Sequence, residues 1–555
     1  MPPQHSQHPP LTALPPSRAA DPPLFRPSNP PTTTFDPEEA FPPARDDLSA
    51  SSASVSSSSS KQKRRSRKSS LKAAKVAQQT DKPRAPEGQR LVTTAFFPLS
   101  YKQAAVQWWT SLTPPASERA VLNLVPYLKE AISPTASPDA VASRLDPFGH
   151  RIWRSSMVRL PGKNRALNEY SVERIGEPTE ETLVMLHGYG AGLGLFYKNF
   201  EPITRVEGWR LYALDMLGMG NSSRPAFRIK AKDPKERTVE AENFFVDALE
   251  EWRQARKIEK FTLLGHSMGG YLAVCYALKY PGRLNKLILA SPVGVPENPD
   301  ATDAELPEPN SSTLANEFTQ SQEEIVHQES DVGTKDVRIP SAADSSSAIT
   351  KQAPAAPRRN IPGWFAWLWN ANLVSPFTFV RIAGPLGPRF ASGWTSRRFN
   401  HLPSEEAAAL HTYAYNLFRQ KGSGEFSLPY ILAPGAYARN PLVNRIDQVG
   451  RRVGPNGKKE TGFPLVFMYG DSDWMDVAGG FASEEIIKKR VEKALAEGTP
   501  EEQRDENGSA KVIVVRKAGH HLYLDNPDEF NEYVRKEMEE TRDYNRRRKA
   551  QGLSV

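Results

Sequence analysis

The stretch FTLLGHSMGGYLA, residues 261–273, runs from apolar residues into Gly-His-Ser-Met-Gly and then into small and apolar residues in a helix-like pattern. Ser267 stands between Gly265 and Gly269, a spacing that suits a tight strand-to-helix turn. Small residues on both flanks let the backbone fold sharply, so that one serine is held in a strained conformation with its hydroxyl exposed. The stretch therefore predicts a strand, a turn and a helix, and it makes Ser267 a candidate nucleophile.

The chain on both sides of this turn alternates short β-rich runs with helical patterns from about residue 150 onward. This alternation is typical of an α/β fold with a mostly parallel central sheet flanked by helices. We predict strands at 153–160, 167–174, 182–188, 209–215, 260–265, 286–295, 463–470 and 511–519, the first two forming an antiparallel pair. We predict helices at 238–257, from the Ser267 turn through Tyr280, at 482–498 and from Pro527.

Composition divides the 555 residues into folded and low-complexity parts. Proline- and serine-rich segments bury too little apolar surface to offset the entropy of the chain, so we expect them to be disordered. The predicted parts are a disordered, basic N-terminal region (1–90), a helical N-terminal segment with a tryptophan pair (91–145), the first half of the α/β core (146–296), a disordered insertion (297–359), a helical lid (360–459), the second half of the core (460–541) and a basic tail (542–555).

The net charge of +8 favours an anionic partner. No nucleic-acid-binding motif accompanies it, so an anionic membrane surface is the expected partner. Tryptophans at two places could contact lipid headgroups: the pair Trp108 and Trp109, and the aromatic cluster at 364–369. The alternative is that they pack inward as part of the lid core. No segment clearly qualifies as a membrane span; the closest, 361–380, has no charge but is interrupted by prolines, a glycine and two asparagines.

Two further strand ends carry what a serine nucleophile requires. A serine hydroxyl attacks only when a base takes its proton, and the base needs a carboxylate to orient it. YGDSDWMD follows one predicted strand, and a His-His pair follows the last one, which gives the order serine, acid, histidine used by serine α/β-hydrolases. We predict Ser267 as nucleophile, Asp473 as acid and His520 as base, and no metal.

Neighbouring residues leave alternatives open at two of these positions. His521 is adjacent to His520, and Asp471 and Asp476 flank Asp473. The Gly-x-x-Asp spacing that starts at Gly470 favours Asp473.

An oxyanion hole is the remaining requirement, because the tetrahedral intermediate needs backbone N–H donors that are already in place. Met268, directly after the nucleophile, is expected to supply one N–H. Gly188 in the turn LHGYGAGLG permits a close backbone approach, which makes the Tyr189 N–H the second predicted donor.

Five separated motifs give the chain a resemblance to a known family. HGYGAGLGLFYKNF, LDMLGMGNSSRP, GHSMGGYLA, PFTFVRIAGPLG and AGHHLYLDNPDEF occur in this order. Together they resemble the α/β-hydrolase-domain lipid enzymes that include the fungal cardiolipin-specific deacylases and the lysophosphatidic acid acyltransferases. The resemblance covers roughly 90–540 without the insertion. One branch of that family replaces the elbow serine and acts as a lipase coactivator, and the chain differs from that branch because it keeps Ser267.

The resemblance implies deacylation of phospholipids or lysophospholipids, with acyl transfer from acyl-CoA, as a co-substrate, to lysophosphatidic acid as a second activity. The transfer is associated with a His-x4-Asp pattern, present here as His520 and Asp525. The alternative role for Asp525 is to cap the last helix. The resemblance also implies a peripheral location at the mitochondrial inner membrane, with cytoplasm or lipid droplets as the alternative, although the N-terminus lacks transit-peptide features. A non-catalytic lipid-surface adaptor and a soluble small-ester carboxylesterase remain alternative functions.

Overall fold

The central feature of the fold is a nine-stranded sheet in a computed structural model that describes residues 98–130, 146–297, 375–433, 436–455 and 457–553. The strands are β1 (Lys129–Glu130), β2 (Arg151–Arg159), β3 (Ala166–Arg174), β4 (Glu181–Leu186), β5 (Trp209–Leu214), β6 (Phe261–His266), β7 (Leu284–Ala290), β8 (Pro464–Gly470) and β9 (Ser509–Val515). The disorder predicted for 1–90 and for the insertion beyond Glu297, and the aromatic cluster at 364–369, lie outside the described residues.

The strand order is β1-β2-β3-β5-β4-β6-β7-β8-β9. Strand β3 runs antiparallel to both of its neighbours, β2 and β5, and the other described pairs are parallel. The predicted α/β-hydrolase fold, with its opening antiparallel pair and its mostly parallel sheet, is therefore confirmed.

Helices and short connecting turns surround this sheet. They are α1 (Tyr101–Thr110), α2 (Pro114–Leu122), α3 (Tyr197–Ile203), α4 (Pro234–Ala255), α5 (Met268–Lys279), α6 (Pro376–Ile382), α7 (Gly387–Arg398), α8 (Ser404–Arg419), α9 (Leu428–Ile431), α10 (Val477–Glu497), α11 (Pro500–Asp505), α12 (Leu522–Asp525) and α13 (Pro527–Ala550).

The core lies on both faces of the sheet. Strand β6 and all but the last residue of α5 are buried, as their nearly continuous apolar sequence requires. One face packs against α4, α5 and α10 through side chains such as Trp252 and Tyr271. The other face packs against α2, α3, the lid and α13 through side chains such as Phe200 and Tyr413.

The register of the parallel strands brings their carboxyl ends to one edge. His266 pairs with Ala290, and Ala290 pairs with Met468 across the next two strands. Gly470 in turn pairs with Val515. Residues that follow these four strands therefore meet at one place, where open α/β sheets bind their ligands.

A helical layer covers that edge. The part of the predicted lid that is described contains α6 to α9, and helices α1 and α2 pack into the same layer. In α1, Gln107 Oε1 lies 2.9 Å from His411 Nε2 of α8, and in α2, Glu118 Oε2 accepts from the Tyr413 hydroxyl of α8 at 3.4 Å. The N-terminal helices therefore belong to the layer that covers the site.

The structure differs from the predicted basic tail at the end of the chain. Helix α13 continues through the expected boundary at residue 541 to Ala550. Its inner face stays attached to the core, because Asn545 is buried and donates to Glu181 Oε1 at 2.8 Å. The basic residues near its end lie in the last turn, where positive charge stabilises a helix.

Candidate active site

Ser267 stands at the tip of the turn between β6 and α5, with φ 53° and ψ −118°. The two flanking glycines make this turn possible. A Cβ atom on Gly265 would lie 2.4 Å from the carbonyl oxygen of Gly269, and a Cβ on Gly269 would lie 2.6 Å from the carbonyl oxygen of His187. Both distances are too short for any side chain, so the turn depends on glycine at both positions.

The three residues predicted as a triad lie together. Ser267 Oγ is 3.0 Å from His520 Nε2, and His520 Nδ1 is 3.3 Å from Asp473 Oδ1. The side chains of His520 and Asp473 are almost completely buried. The geometry lets His520 take the proton of Ser267 while Asp473 holds the imidazole in place.

The carboxylate of Asp473 is held in its ionised form. Burial alone would raise the pKa of Asp473, but hydrogen bonds from His520 and Ser291 and from the Met475 N–H lower it below its ordinary value. The Met475 N–H donates to Oδ1 at 3.0 Å. An ionised, hydrogen-bonded carboxylate can stabilise the imidazolium that forms when His520 accepts a proton.

The neighbouring carboxylates have other partners. Asp471 accepts hydrogen bonds from the backbone N–H groups of Lys517 and Ala518, at 2.7 and 3.1 Å, and so joins the acid loop to the histidine loop. Asp476 caps α10 and accepts from the Ala478 N–H at 2.8 Å. Of the three candidate acids, Asp473 is the one placed against His520.

His521 is buried and packs against other buried rings. Its ring lies 5.1 Å from the ring of His266 and 5.7 Å from that of Tyr523, measured between centroids. Burial holds the pKa of His521 well below its ordinary value. His521 is therefore a neutral core residue, and His520 is the histidine that reaches Ser267.

The predicted oxyanion donors flank the nucleophile. Met268 is the first residue of α5, and first-turn N–H groups have no acceptor within their own helix. A Cβ on Gly188 would lie 3.0 Å from the Cβ of Ser267, which shows how closely the turn carrying Tyr189 approaches. The lid fixes that turn from outside, since the rings of Tyr189 and Phe377 stack at 5.5 Å.

A buried polar network, which the sequence did not predict, supports the same turn from inside. His187 Nδ1 donates to the carbonyl oxygen of Gly188 at 2.7 Å, while its Nε2 accepts from the Met216 N–H at 3.0 Å. Burial lowers the pKa of His187, which favours the neutral ring that this pattern needs. Asp215 accepts from the Leu193 N–H at 2.7 Å and so ties down the far end of the turn.

Helix α2 adds an acidic residue to this network. Asn168 Nδ2 donates to Asp215 Oδ2 at 2.8 Å and to both carboxyl oxygens of Glu118 at 3.0 Å. Burial, together with the nearby charge of Asp215, raises the pKa of Glu118 to about 8. Glu118 is therefore mostly protonated at neutral pH, which avoids two buried negative charges side by side.

Asp525 does not cap the last helix, and that interpretation of the sequence is wrong. The side chain of Asn526 caps α13, accepting from the Glu529 N–H, while Asp525 ends the short helix α12. Asp525 Oδ2 instead accepts from the Gly519 N–H at 3.0 Å. Asp525 thus holds the loop immediately before His520.

His266 is another residue that sequence reasoning missed. Its Nε2–H donates to the carbonyl oxygen of His520 at 2.9 Å, and burial holds its pKa well below the ordinary value. The signal for it was its position next to Ser267 on a buried strand. Within the described ranges no group of His, Cys, Asp or Glu is arranged to hold a metal ion.

Comparison with known proteins agrees with this architecture. Residues 181–329 match the alpha/beta hydrolase fold family. A 1-acylglycerol-3-phosphate O-acyltransferase of Arabidopsis thaliana is 30% identical over 428 residues, which cover 76% of this chain and 78% of that protein. The 1-acylglycerol-3-phosphate O-acyltransferase ABHD5 of Mus musculus is 28% identical, covering 69% of this chain and 84% of that protein. A human (lyso)-N-acylphosphatidylethanolamine lipase is 28% identical, covering 68% and 84%. The chain belongs to the α/β-hydrolase family that contains these acyltransferases.

Proposed function

We propose that this chain is a membrane-associated serine hydrolase that deacylates glycerophospholipids, cardiolipin or a related lipid, through an acyl-serine intermediate on Ser267. The observation that carries the proposal is the 3.0 Å contact of Ser267 Oγ with His520 Nε2, backed by Asp473 at 3.3 Å from Nδ1. Relatives named as acyltransferases and as a lipase of acylated phospholipids support a lipid ester as the substrate class.

The proposed reaction has two halves. His520 takes the proton of Ser267 as Oγ attacks the ester carbonyl, and the N–H groups of Met268 and Tyr189 stabilise the oxyanion. The intermediate expels the lysolipid alkoxide, which receives the proton from His520. Water, deprotonated by His520, then attacks the acyl-serine and releases the fatty acid and free Ser267.

Acyl transfer needs no second site. An acyl-serine does not dictate its acceptor, so the hydroxyl of lysophosphatidic acid can replace water in the second half-reaction. With acyl-CoA as donor, the first half-reaction expels the CoA thiol in place of a lysolipid. The names of the plant and mouse relatives favour this second candidate activity.

The proposed membrane contact is a surface that we call the apolar face, formed by exposed side chains of α1 and of the lid segment from α6 to α7. Its members are Tyr101, Val106, Trp109, Phe379, Ile382, Leu386 and Phe390. Trp109 is 82% exposed and Ile382 is 73% exposed. The two segments touch, since the Arg389 guanidinium lies 4.4 Å from the ring centroid of Tyr101.

The charge of this region suits an anionic bilayer. Residues 98–112 and 375–400 contain five basic residues and no acidic residue. Apolar and aromatic side chains among positive charges are typical of surfaces that bind at the lipid interface. Of the described helices, none has the length and apolar character to cross a bilayer. Peripheral contact through the apolar face, at the mitochondrial inner membrane that the family resemblance implies, is part of the same proposal.

A fluorophosphonate probe tests the enzymatic part. Folded wild-type protein should be labelled, and Ser267→Ala should not. The lipid class is then read from fatty acid release from vesicles of cardiolipin or phosphatidylcholine and from lysophosphatidic acid micelles. Absence of labelling on intact, folded wild type would favour the non-catalytic adaptor instead.

Vesicle binding tests the membrane part. Trp109→Ala and Ile382→Asp should each weaken co-sedimentation with vesicles that contain cardiolipin and slow hydrolysis there, while hydrolysis of a soluble short-chain nitrophenyl ester stays unchanged. Phe481→Ala, an exposed aromatic residue on α10, is the matched control and should change neither. Equal activity on soluble and vesicle-bound esters, with no vesicle binding by the wild type, would favour a soluble carboxylesterase.

A further inference from the structure

Ser291 follows strand β7 at the same edge of the sheet as Ser267. Its backbone has φ 47°, a left-handed conformation that side-chain-bearing residues rarely adopt. The residue is completely buried, and its N–H donates to the carbonyl oxygen of Met468 at 2.7 Å. The backbone thus holds the hydroxyl at one position in the interior.

That position is next to the candidate base. Ser291 Oγ lies 2.6 Å from His520 Nδ1, whereas Asp473 Oδ1 lies 3.3 Å from the same nitrogen. Because His520 Nε2 must be free of a proton to accept one from Ser267, the ring proton has to reside on Nδ1. Nδ1–H therefore has two acceptors, and the serine oxygen is the nearer.

The hydroxyl proton of Ser291 remains available. Since the oxygen accepts from Nδ1–H, the hydroxyl can donate toward Asp473, which contacts the same nitrogen and whose pKa Ser291 lowers. Asp473 is ionised and can only accept. Ser291 and Asp473 thus meet at the same N–H group of His520, with the serine hydroxyl proton left to donate toward the carboxylate.

We propose that Ser291 is a positioning residue of the reaction, which joins Asp473 to His520 and fixes the imidazole in the tautomer with its proton on Nδ1. The proposal rests on the proposed function, because it concerns the base that activates Ser267. No covalent bond to Ser291 is made or broken in the reaction. Its hydroxyl keeps its proton while His520 gains the proton of Ser267 and becomes an imidazolium, whose stronger Nδ1–H donation Ser291 and Asp473 accept together.

Two variants separate the effect of losing the Ser291 hydroxyl from the effect of backbone strain. Ser291→Ala and Ser291→Gly both remove the hydroxyl, but only glycine relieves the left-handed φ, so the glycine variant should be the more stable of the two. Both should react with a fluorophosphonate about 10- to 100-fold more slowly than wild type, the loss expected for one hydrogen bond to a charged group. For hydrolysis, kcat should fall while KM stays unchanged.

The matched control is Ser472→Ala in the acid loop, whose exposed hydroxyl lies 3.3 Å from Asp471 Oδ1. This variant should be labelled at the wild-type rate. A further readout is the low-field proton NMR resonance of His520 Nδ1–H, which should move in both Ser291 variants. In a double variant with Asp473→Asn, Ser291→Ala should lower the labelling rate by a smaller factor than it does alone, because both residues act on one N–H group.

The labelling results separate the role of Ser291 from the serine hydrolase activity itself. Labelling of Ser291→Ala and Ser291→Gly at the wild-type rate, with Ser267→Ala unreactive, would overturn the role of Ser291 and leave the serine hydrolase intact. Slow labelling of Ser291→Ala together with wild-type labelling of Ser291→Gly would also overturn the role of the hydroxyl, because backbone strain would then explain the slow rate. Labelling that persists in Ser267→Ala would instead remove the proposed function.

Discussion

The backbone conformation of Ser267 is costly on its own. A residue with a side chain at φ 53° and ψ −118° is strained by roughly 1–3 kcal/mol. The surrounding hydrogen bonds hold it there, since the Ser267 N–H donates to Ala290 O at 3.0 Å and its carbonyl accepts from the N–H groups of Gly270 and Tyr271. This conformation exposes Oγ at the point where the four strand ends meet.

Asp473 and Asp476 provide a test of the acid at the scale of single residues. Asp473→Asn should lower kcat by about 10⁴, because an amide in place of the carboxylate favours the wrong imidazole tautomer. Asp476→Asn is the control, and it should keep nearly all activity because asparagine caps a helix about as well as aspartate. The measurement is kcat for steady-state hydrolysis by the two purified variants. A larger loss in Asp476→Asn than in Asp473→Asn would assign the acid to Asp476.

Glu118 predicts a pH dependence of stability. Its pKa is about 8 in the folded chain against an ordinary value of 4.5, so between these values the folded state binds a proton that the unfolded chain has released. The free energy of unfolding therefore decreases as pH rises through this window. Glu118→Gln has no proton to lose, and its Tm relative to wild type should increase between about pH 5 and about pH 8.

The matched control for Glu118 is Glu201→Gln. Glu201 is also buried, but it forms an ion pair with Arg151 at 2.7 Å, so its loss should lower Tm at both pH values. A Glu118→Gln protein whose Tm difference from wild type is the same at both pH values would contradict the assignment of a protonated Glu118.

Sequence reasoning reached the residues that stand beside a local signal. Ser267 has its glycines, and His520 and Asp473 directly follow predicted strands. Ser291 falls inside the strand predicted at 286–295, and only the structure ends β7 at Ala290 and makes Ser291 the residue that follows it. Glu118 has no local signal at all. Its partner Asp215 is 97 positions away along the chain, and only the packing of α2 brings the two together.

At the scale of secondary-structure elements, the segment from Gly519 to the end of α12 at Asp525 carries the candidate base, and variants of Asp525 test whether acyl transfer needs its own site. Asp525→Asn keeps an oxygen that can accept from the Gly519 N–H, so both hydrolysis and transfer should persist. Asp525→Ala removes that acceptor and should lower both activities by a similar factor, because both depend on the position of His520.

These variants should be assayed with lysophosphatidic acid plus acyl-CoA and, separately, with cardiolipin vesicles alone. Far-UV circular dichroism of each variant checks that the overall helix content is unchanged. Selective loss of transfer in Asp525→Asn, with hydrolysis preserved, would show a separate site at the His-x4-Asp pattern and contradict a single acyl-serine intermediate for both activities.

At the scale of the whole molecule, the order and type of the core elements could be predicted because apolar periodicity and strand-end residues are local properties. The placement of α1 and α2 could not. Their sequences indicate helices but not partners, and only the structure joins them to the lid, α1 through the Gln107–His411 contact and α2 through the Glu118–Tyr413 contact. The predicted end of the core at residue 541 was also too early. The basic sequence beyond it gives no sign of the inner helix face that binds Glu181.

The central claim is that one acyl-Ser267 intermediate serves both hydrolysis and acyl transfer. It is tested most directly by Ser267→Ala, assayed side by side for fatty acid release from phospholipid and for transfer from acyl-CoA to lysophosphatidic acid. We predict that hydrolysis falls by about 10⁶ in kcat, as in other serine hydrolases without their nucleophile, and that transfer falls with it. A folded Ser267→Ala protein with full acyl transfer would contradict the shared intermediate.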